Sequence, residues 1–136
     1  MKILATGDRT WVEQKPIEQR LREVWKASGG HAILVAGGAA GVDNIAAYVA
    51  RRLGFDVREY PVPEIEWDVV GPYACNLRNQ RMLDREHPDD AGLHIDLCLV
   101  WHHDPGLGRG TRDMVSRVLK AQPPIEVDRC VQRRRR

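Results

Sequence analysis

Cysteine is scarce in this chain. Cys75, Cys98 and Cys130 are odd in number and far apart among 136 residues, which argues against a disulfide framework or a paired-cysteine zinc site and suggests buried or inert thiols. Long apolar runs are missing as well, since none approaches the roughly 20 residues that span a bilayer. Met1-Lys2-Ile3-Leu4-Ala5 leads straight into a strand-like stretch and lacks the layout of a signal peptide, so the reading is a soluble, cytoplasmic chain with no membrane partner. An excess of one charge is also absent. The formal net of +2 comes from Arg133 to Arg136; without these four, 17 basic residues stand against 19 acidic and the body carries −2. A short terminal arginine run can touch nucleic acid or an acidic partner, but such runs are more often disordered, and residues 132–136 are expected to form such a tail. No internal repeat is found.

What remains is 43% hydrophobic content, enough for one domain of ordinary core size, expected over residues 1–131. Short apolar runs alternate with helical patterns. Ile3-Leu4-Ala5 opens, and a helix follows from about Pro16 to Ala27, with Ile17, Leu21, Val24 and Trp25 at helical spacing. His31 to Ala36 reads as a buried strand, and Val42, Ile45, Ala46, Val49, Ala50 and Leu53 trace one helix face that closes at Gly54. Val57 to Val62 makes a third strand, a Pro-containing loop passes Trp67 and Pro72, and a helix runs from about Tyr73 to Glu86. The strand Ile95 to Trp101 precedes a helix from about Gly110 to Ala121, with Met114, Val115, Val118 and Leu119 inward, and a weak strand near Ile125 to Val131. This alternation implies βαβ units with right-handed crossovers: an α/β, Rossmann-like, doubly wound parallel sheet of about five strands in a single domain.

Such sheets keep function outside the C-terminal ends of their strands, at the topological switch point. Four segments converge there. In Thr6-Gly7-Asp8-Arg9-Thr10-Trp11, Gly7 relieves crowding, Arg9 can hold phosphate, and Asp8 or Thr10 can bond a sugar hydroxyl. Gly37-Gly38-Ala39-Ala40-Gly41-Val42-Asp43 joins a strand to a helix whose free N–H groups and dipole favour an anion, although its spacing is neither GxGxxG nor a P-loop, which lacks its Lys here. Asp43 either bonds a ribose or caps the helix. In Gly71 to Met82, Asn76 and Asn79 share a helix face and Tyr73 can stack or hydrogen-bond beside them, while Arg78, Arg81 and Arg85 alone would suggest a solvated stripe. The fourth segment, Gly106 to Asp113, holds a second glycine-rich loop with Gly108, Arg109, Gly110 and Thr111. His102-His103-Asp104 looks metal-like, but strand neighbours point to opposite faces, so no metal is expected; either histidine can border the pocket. Trp67 and Trp101 can stack on a base, whereas Trp25 belongs with the core. No cofactor is implied.

Together these segments resemble the YAcAr branch of the YspA/YpsA-related SLOG family, within the SMF/DprA-LOG superfamily. Tyr73-Ala74-Cys75-Asn76-Leu77-Arg78-Asn79 carries the likeness most directly, with Thr6-Gly7-Asp8-Arg9, Gly37 to Asp43 and Gly108-Arg109-Gly110-Thr111 in matching order. The resemblance covers about Met1 to Val131. It implies a Rossmann-like domain that binds nucleotides or nucleotide-derived ligands, often as a sensor in bacterial or phage conflict systems, and that pairs through helices beside the site. It also implies an enzymatic alternative, since LOG-type phosphoribohydrolases of the superfamily cleave the N-glycosidic bond of nucleoside monophosphates with an arginine and a glutamate. Arg78 and Met82 match the LOG Arg-Lys-x-x-Met spacing. In place of PGGxGTxxE, however, the residue three after Thr111 is Met114, and Asp113 stands one position early, rotated by about 100° on a helix.

The expectation is therefore a nucleotide-binding module, assembled as a homodimer or larger. Its ligand-binding residues are Gly7, Asp8, Arg9, Gly37, Gly38, Gly41, Asp43, Tyr73, Asn76, Arg78, Asn79, Gly108, Arg109, Gly110 and Thr111. Backbone N–H groups of both loops would hold phosphate with Arg9 and Arg78, while Asn76, Asn79 and Asp8 orient sugar or base. In the hydrolase alternative, Arg78 and Asp113 are catalytic. Relatives in the superfamily that process DNA imply nucleic acid as a further partner, reached through the arginine tail.

Overall fold

Ile3, Leu4 and Ala5 are all buried although alternate strand residues face opposite ways, so the first strand must be covered on both sides. The computed structural model, which describes residues 1–90 and 92–130, shows why. Strands β1 (Lys2–Gly7), β2 (Ile33–Ala36), β3 (Asp56–Glu59), β4 (Leu97–Trp101) and β5 (Glu126–Arg129) form one parallel sheet in the order β3-β2-β1-β4-β5. Helices α1 (Gln14–Ala27) and α2 (Val42–Leu53) cover one face, where Ile17, Leu21, Val42 and Ala46 pack on Ile3, Ala5, Leu34, Leu99 and Trp101. Helices α4 (Tyr73–Glu86) and α5 (Arg109–Lys120) cover the other, with Met82, Leu83, Met114 and Val118 on Leu4, Val35, Cys98 and Val100. This is the doubly wound α/β architecture expected from the sequence.

The connections after β1 and β4 leave to opposite faces, so the crevice between these adjacent strands is the switch point. Both edge strands carry exposed charge, Asp56, Arg58 and Glu59 on β3 and Glu126 and Arg129 on β5, which discourages pairing with another sheet.

Four details differ from the sequence reading. The stretch expected as a loop contains a short helix, α3 (Glu64–Val70), which buries none of its residues and so shows no amphipathic pattern. Strand β3 ends at Glu59, because Pro61 and Pro63 have no N–H for a sheet ladder. Leu119 is 67% exposed and not part of the core. Trp101 is fully buried among α1 and α2 side chains, which removes it as a base-stacking residue. Val131 and the arginine tail lie outside the described residues.

At the start of β1 a charged network ties three elements together. Glu86, 2% exposed at the end of α4, accepts from Arg58 Nη1 at 2.7 Å and Tyr60 Oη at 2.6 Å and pairs with Lys2 Nζ at 3.2 Å. Lys2 Nζ also donates to the carbonyls of Glu86 and Leu93. Burial alone would raise the Glu86 pKa, but hydrogen bonds from Tyr60, Arg58 and Lys2 outweigh it and hold the carboxyl below its ordinary value. Replacement Glu86→Ala, which strands the buried Lys2 ammonium, is expected to cost about 3–5 kcal/mol of unfolding free energy in urea at neutral pH. The contribution of the ionised carboxylate is fully present above the ordinary value of 4.5 and is lost as pH falls through the lowered one. The stability gap between wild type and Glu86→Gln therefore narrows on acidification.

Candidate functional site

At the C-terminal ends of β1 and β4 lies a cavity of about 980 Å³, walled by the loop after β1, the start of the loop after β2, α3, the first turns of α4, and the N-terminus of α5. Four segments distant in sequence thus meet at the switch point. Gly7, Asp8, Arg9, Gly37, Asp43, Tyr73, Asn76, Arg78, Asn79, Gly108, Arg109, Gly110 and Thr111 all line it. Gly38 and Gly41 do not. A Cβ on Gly38 would face Pro61, and one on Gly41 would lie 2.2 Å from the Asp8 carbonyl oxygen, so the glycine at position 41, with φ of 76°, lets two loops touch.

Three N–H groups of the loop after β2 are spent inside the protein. Ala39 N–H donates to Asp43 Oδ2 at 3.2 Å, Gly37 N–H reaches the same carboxylate, and Val42 N–H donates to Asp8 O at 3.1 Å. Asp43, in the first turn of α2, thereby braces the loop from beneath. Beside it the Arg78 guanidinium donates to the carbonyls of Gly37 and Tyr60 and to Asn79 Oδ1. A Cβ at position 37 would stand 2.7 Å from Arg78 Nη1, so a side chain there would displace the guanidinium. Burial dominates this pair: it pushes Asp43 up to about 6 and Arg78 down, and their mutual attraction opposes both shifts without cancelling either. Arg78 is 6% exposed, so it is a clamp within the fold and not part of a solvated stripe.

Asn76 and Asn79 do share a face of α4, but their amides are engaged. Asn76 Nδ2 donates to Asp113 Oδ1 at 3.1 Å and Asn79 Nδ2 to Oδ2 at 3.0 Å, where Arg117 Nε also donates at 2.8 Å. Burial would raise the Asp113 pKa, yet bonds from Arg117, Asn79 and Asn76 hold it below the ordinary carboxylate value. Asp8 is similarly occupied: Oδ1 accepts from the Thr10 amide and hydroxyl, and these bonds with the nearby His102 overcome burial to lower its pKa. His102 borders the cavity, its Nδ1 accepting from Asp104 N–H at 3.0 Å, while His103 turns away to stack on Trp11 at 4.2 Å. No group of three metal-ligating residues assembles among the described residues.

The N-terminus of α5 is the more open end. Its first N–H groups, at Arg109, Gly110 and Thr111, precede the intrahelical ladder that begins with Arg112 N–H to Gly108 O at 2.9 Å. Thr111 Oγ1 donates to Gly7 O at 3.0 Å and fastens this turn to β1. The preceding loop is held by Leu107, a buried non-glycine residue with φ of 62°, a strained conformation that its core contacts maintain. Arg9 reaches across from the loop after β1: its Nη2 lies 3.4 Å from Cys75 Sγ and 3.8 Å from the Cβ position of Gly110. Cys75 is a contact that the sequence reading leaves without a role, because nothing in its spacing reveals the distant Arg9.

Comparison with known proteins follows the same lines. A family model described as the YspA, cpYpsA-related SLOG family matches residues 1–64. Over 132 residues the chain is 33% identical to the Gene 61 protein of Mycobacterium phage D29, covering 91% of this chain and 93% of that protein. The chain belongs to the YspA, cpYpsA-related SLOG family. Membership points to a nucleotide-related ligand. The crystal structure of DNA processing protein A from Streptococcus pneumoniae matches with a TM-score of 0.53 at 14% identity, over 93% of this chain and 58% of that one. The SLOG-family chain thus spans little more than half of that neighbour, and the likeness shows a shared fold. Among the described residues no helix is long and apolar enough to cross a membrane.

The Asp43 environment makes a measurable statement about stability. A carboxyl raised from 3.8 to about 6 binds its proton more tightly folded than unfolded, so wild-type stability falls as pH rises between those values and levels off above them. In Asp43→Asn this loss is absent. Relative to wild type, the variant is expected to gain about 3 kcal/mol across that window, at about 1.4 kcal/mol per pKa unit, read from urea midpoints at a series of pH values.

Proposed function

We propose that this chain is a binding module for a nucleotide-derived ligand whose phosphate sits at the N-terminus of α5, between Arg9 and Arg109, and that binding serves a sensing role. The observation that carries this is the state of the donors. In the loop after β2 the N–H groups of Gly37, Ala39 and Val42 are turned onto Asp43 and Asp8, whereas Arg109 and Gly110 are exposed at a helix N-terminus that lines the cavity. Neither Arg9 nor Arg109 forms an ion pair among the described residues. The second glycine-rich loop is then the phosphate cradle, and the first is its buttress.

Binding without hydrolysis is the better reading of Asp113. A glycosidic hydrolase needs a carboxylate directed at the sugar to stabilise an oxocarbenium-like transition state. Both Asp113 oxygens are already committed to α4 amides and Arg117, so this carboxylate reads as a tie between α4 and α5. Arg78, engaged with two carbonyls and Asn79, likewise supports the site from behind.

Arg9→Ala and Arg109→Ala are each expected to weaken binding of a nucleoside monophosphate by about tenfold or more, the scale of a lost charge-assisted hydrogen bond. Thermal stability should stay near wild type, because both side chains are exposed. Titration calorimetry with adenosine monophosphate reads the affinity. Native mass spectrometry of the same samples reads intact adduct against released base and counts the copies in the proposed homo-oligomer. Wild-type affinity in both variants would move the phosphate elsewhere, and free base with ribose phosphate would make the chain a phosphoribohydrolase.

A further inference from the structure

The short helix α3 has an unusual surface. None of its residues is buried, and Ile65, Trp67 and Val69 are 75%, 43% and 76% exposed. Water-facing apolar side chains grouped on one element mark a contact waiting for a partner. The helix is nevertheless fixed against α4, since Glu66 Oε2 accepts from Arg81 Nη2 at 2.8 Å. Of the α3 side chains, Trp67 lines the cavity, and Tyr73, 58% exposed at the first position of α4, lines it too.

The remaining tryptophans have structural roles that explain them. Trp11 and Trp101 are buried in the core, and Trp25 packs on Phe55 with ring centroids 5.0 Å apart. Among the described residues Trp67 stacks on no other ring, and it stands at the cavity rim. Tyr73 is the same kind of group, a rigid flat surface with a polar tip, and among the described residues its ring stacks on no other ring. The cavity thus combines two unlike recognition surfaces: cationic and N–H donors at α5, and two exposed aromatic rings contributed by α3 and the start of α4.

We infer that Trp67 and Tyr73 form a base-recognition rim, so that the ligand is an aromatic nucleotide and not a sugar phosphate or free phosphate. This rests on the phosphate site proposed above and adds the chemical class of the other end of the ligand. Stacking on an aromatic face is tolerant of base identity, because every base presents a π-face. The rim therefore discriminates base from no base more strongly than one base from another.

The test compares ribose 5-phosphate with the monophosphates of adenosine, guanosine, cytidine and uridine by titration calorimetry, on wild type, Trp67→Phe and Trp67→Ala. At least one nucleotide is expected to bind about tenfold or more tighter than ribose 5-phosphate, with the advantage kept in Trp67→Phe and lost in Trp67→Ala. Acrylamide quenching of wild-type fluorescence, which needs no variant, should show Trp67 shielded by that nucleotide and unshielded by ribose 5-phosphate. Equal binding of all five ligands, or discrimination retained in Trp67→Ala, overturns the aromatic rim while leaving the phosphate site standing. Binding of none of the five overturns both. Shielding of Trp67 that grows with protein concentration in the absence of ligand assigns the ring to contact between copies of the chain and overturns the rim.

Discussion

The Arg78 guanidinium is the interaction on which the arrangement of the cavity depends. It projects from α4 and donates to the carbonyls of Gly37, just after β2, and Tyr60, just after β3. One side chain thereby holds the helix that carries Tyr73, Cys75, Asn76 and Asn79 against the C-terminal edge of the sheet. Its burial beside Asp43 is costly for both charges, which is why their pKa values move toward neutral forms. The position is reinforced from two sides. A glycine at 37 leaves room for the guanidinium, and the Asp43 carboxylate holds the amides of Gly37 and Ala39 in place around it. Lose the clamp, and the loop and the helix would no longer share a fixed distance.

From this constraint follows a division of labour between two glycine-rich loops that look alike as text. Each joins a strand to a helix, and each places a glycine immediately before the helix. The difference lies in what occupies the space above them. Gly41 is pressed against the backbone of Asp8 and Arg9, so the end of the first loop is covered by the loop after β1. The second meets side chains, His102 beside Gly108 and Arg9 beside Gly110, which leaves Arg109 and Gly110 in contact with the cavity. Glycine serves close packing of protein on protein in the first loop and open access in the second.

This distinction also marks how far the sequence could be read. Strand and helix periodicity identified the sheet and its flanking helices because apolar positions in β1, β4, α2 and α5 repeat with the burial pattern they adopt. The convergence of four loops followed from the doubly wound order alone. What was not legible depends on partners far apart in the chain. Asn76 and Asn79 look free on a helix face until Asp113 is brought within 3.1 Å of one and 3.0 Å of the other. Arg78 looks like one of three surface arginines until Gly37 and Tyr60 close over it. Helix α3 escapes detection because it buries nothing, so no hydrophobic period betrays it. Trp101, read as able to stack on a base, points into the α1 and α2 face, a choice fixed by the parity of β4.

Electrostatics gives the cavity its remaining asymmetry. Arg9 and Arg78 both line it; burial is the main cause that lowers the Arg78 pKa, and the positive charge of Arg9 adds to it. Arg109 adds a third cation to the same wall. Of the nearby carboxylates, Asp8 is engaged by Thr10, Asp113 by Arg117 and two amides, and Asp43 is pushed by burial toward its neutral form. Of these acids Asp43 offsets part of the lowering at Arg78, whereas Arg9 and Arg109 form no ion pair among the described residues. An anion entering above α5 would meet Arg9 and Arg109, which are exposed, without the desolvation already spent on Asp43 and Arg78. In the phosphate site proposed above, the favourable term at Arg9 and Arg109 is available only to a ligand that brings its own negative charge, while Arg78 serves the fold.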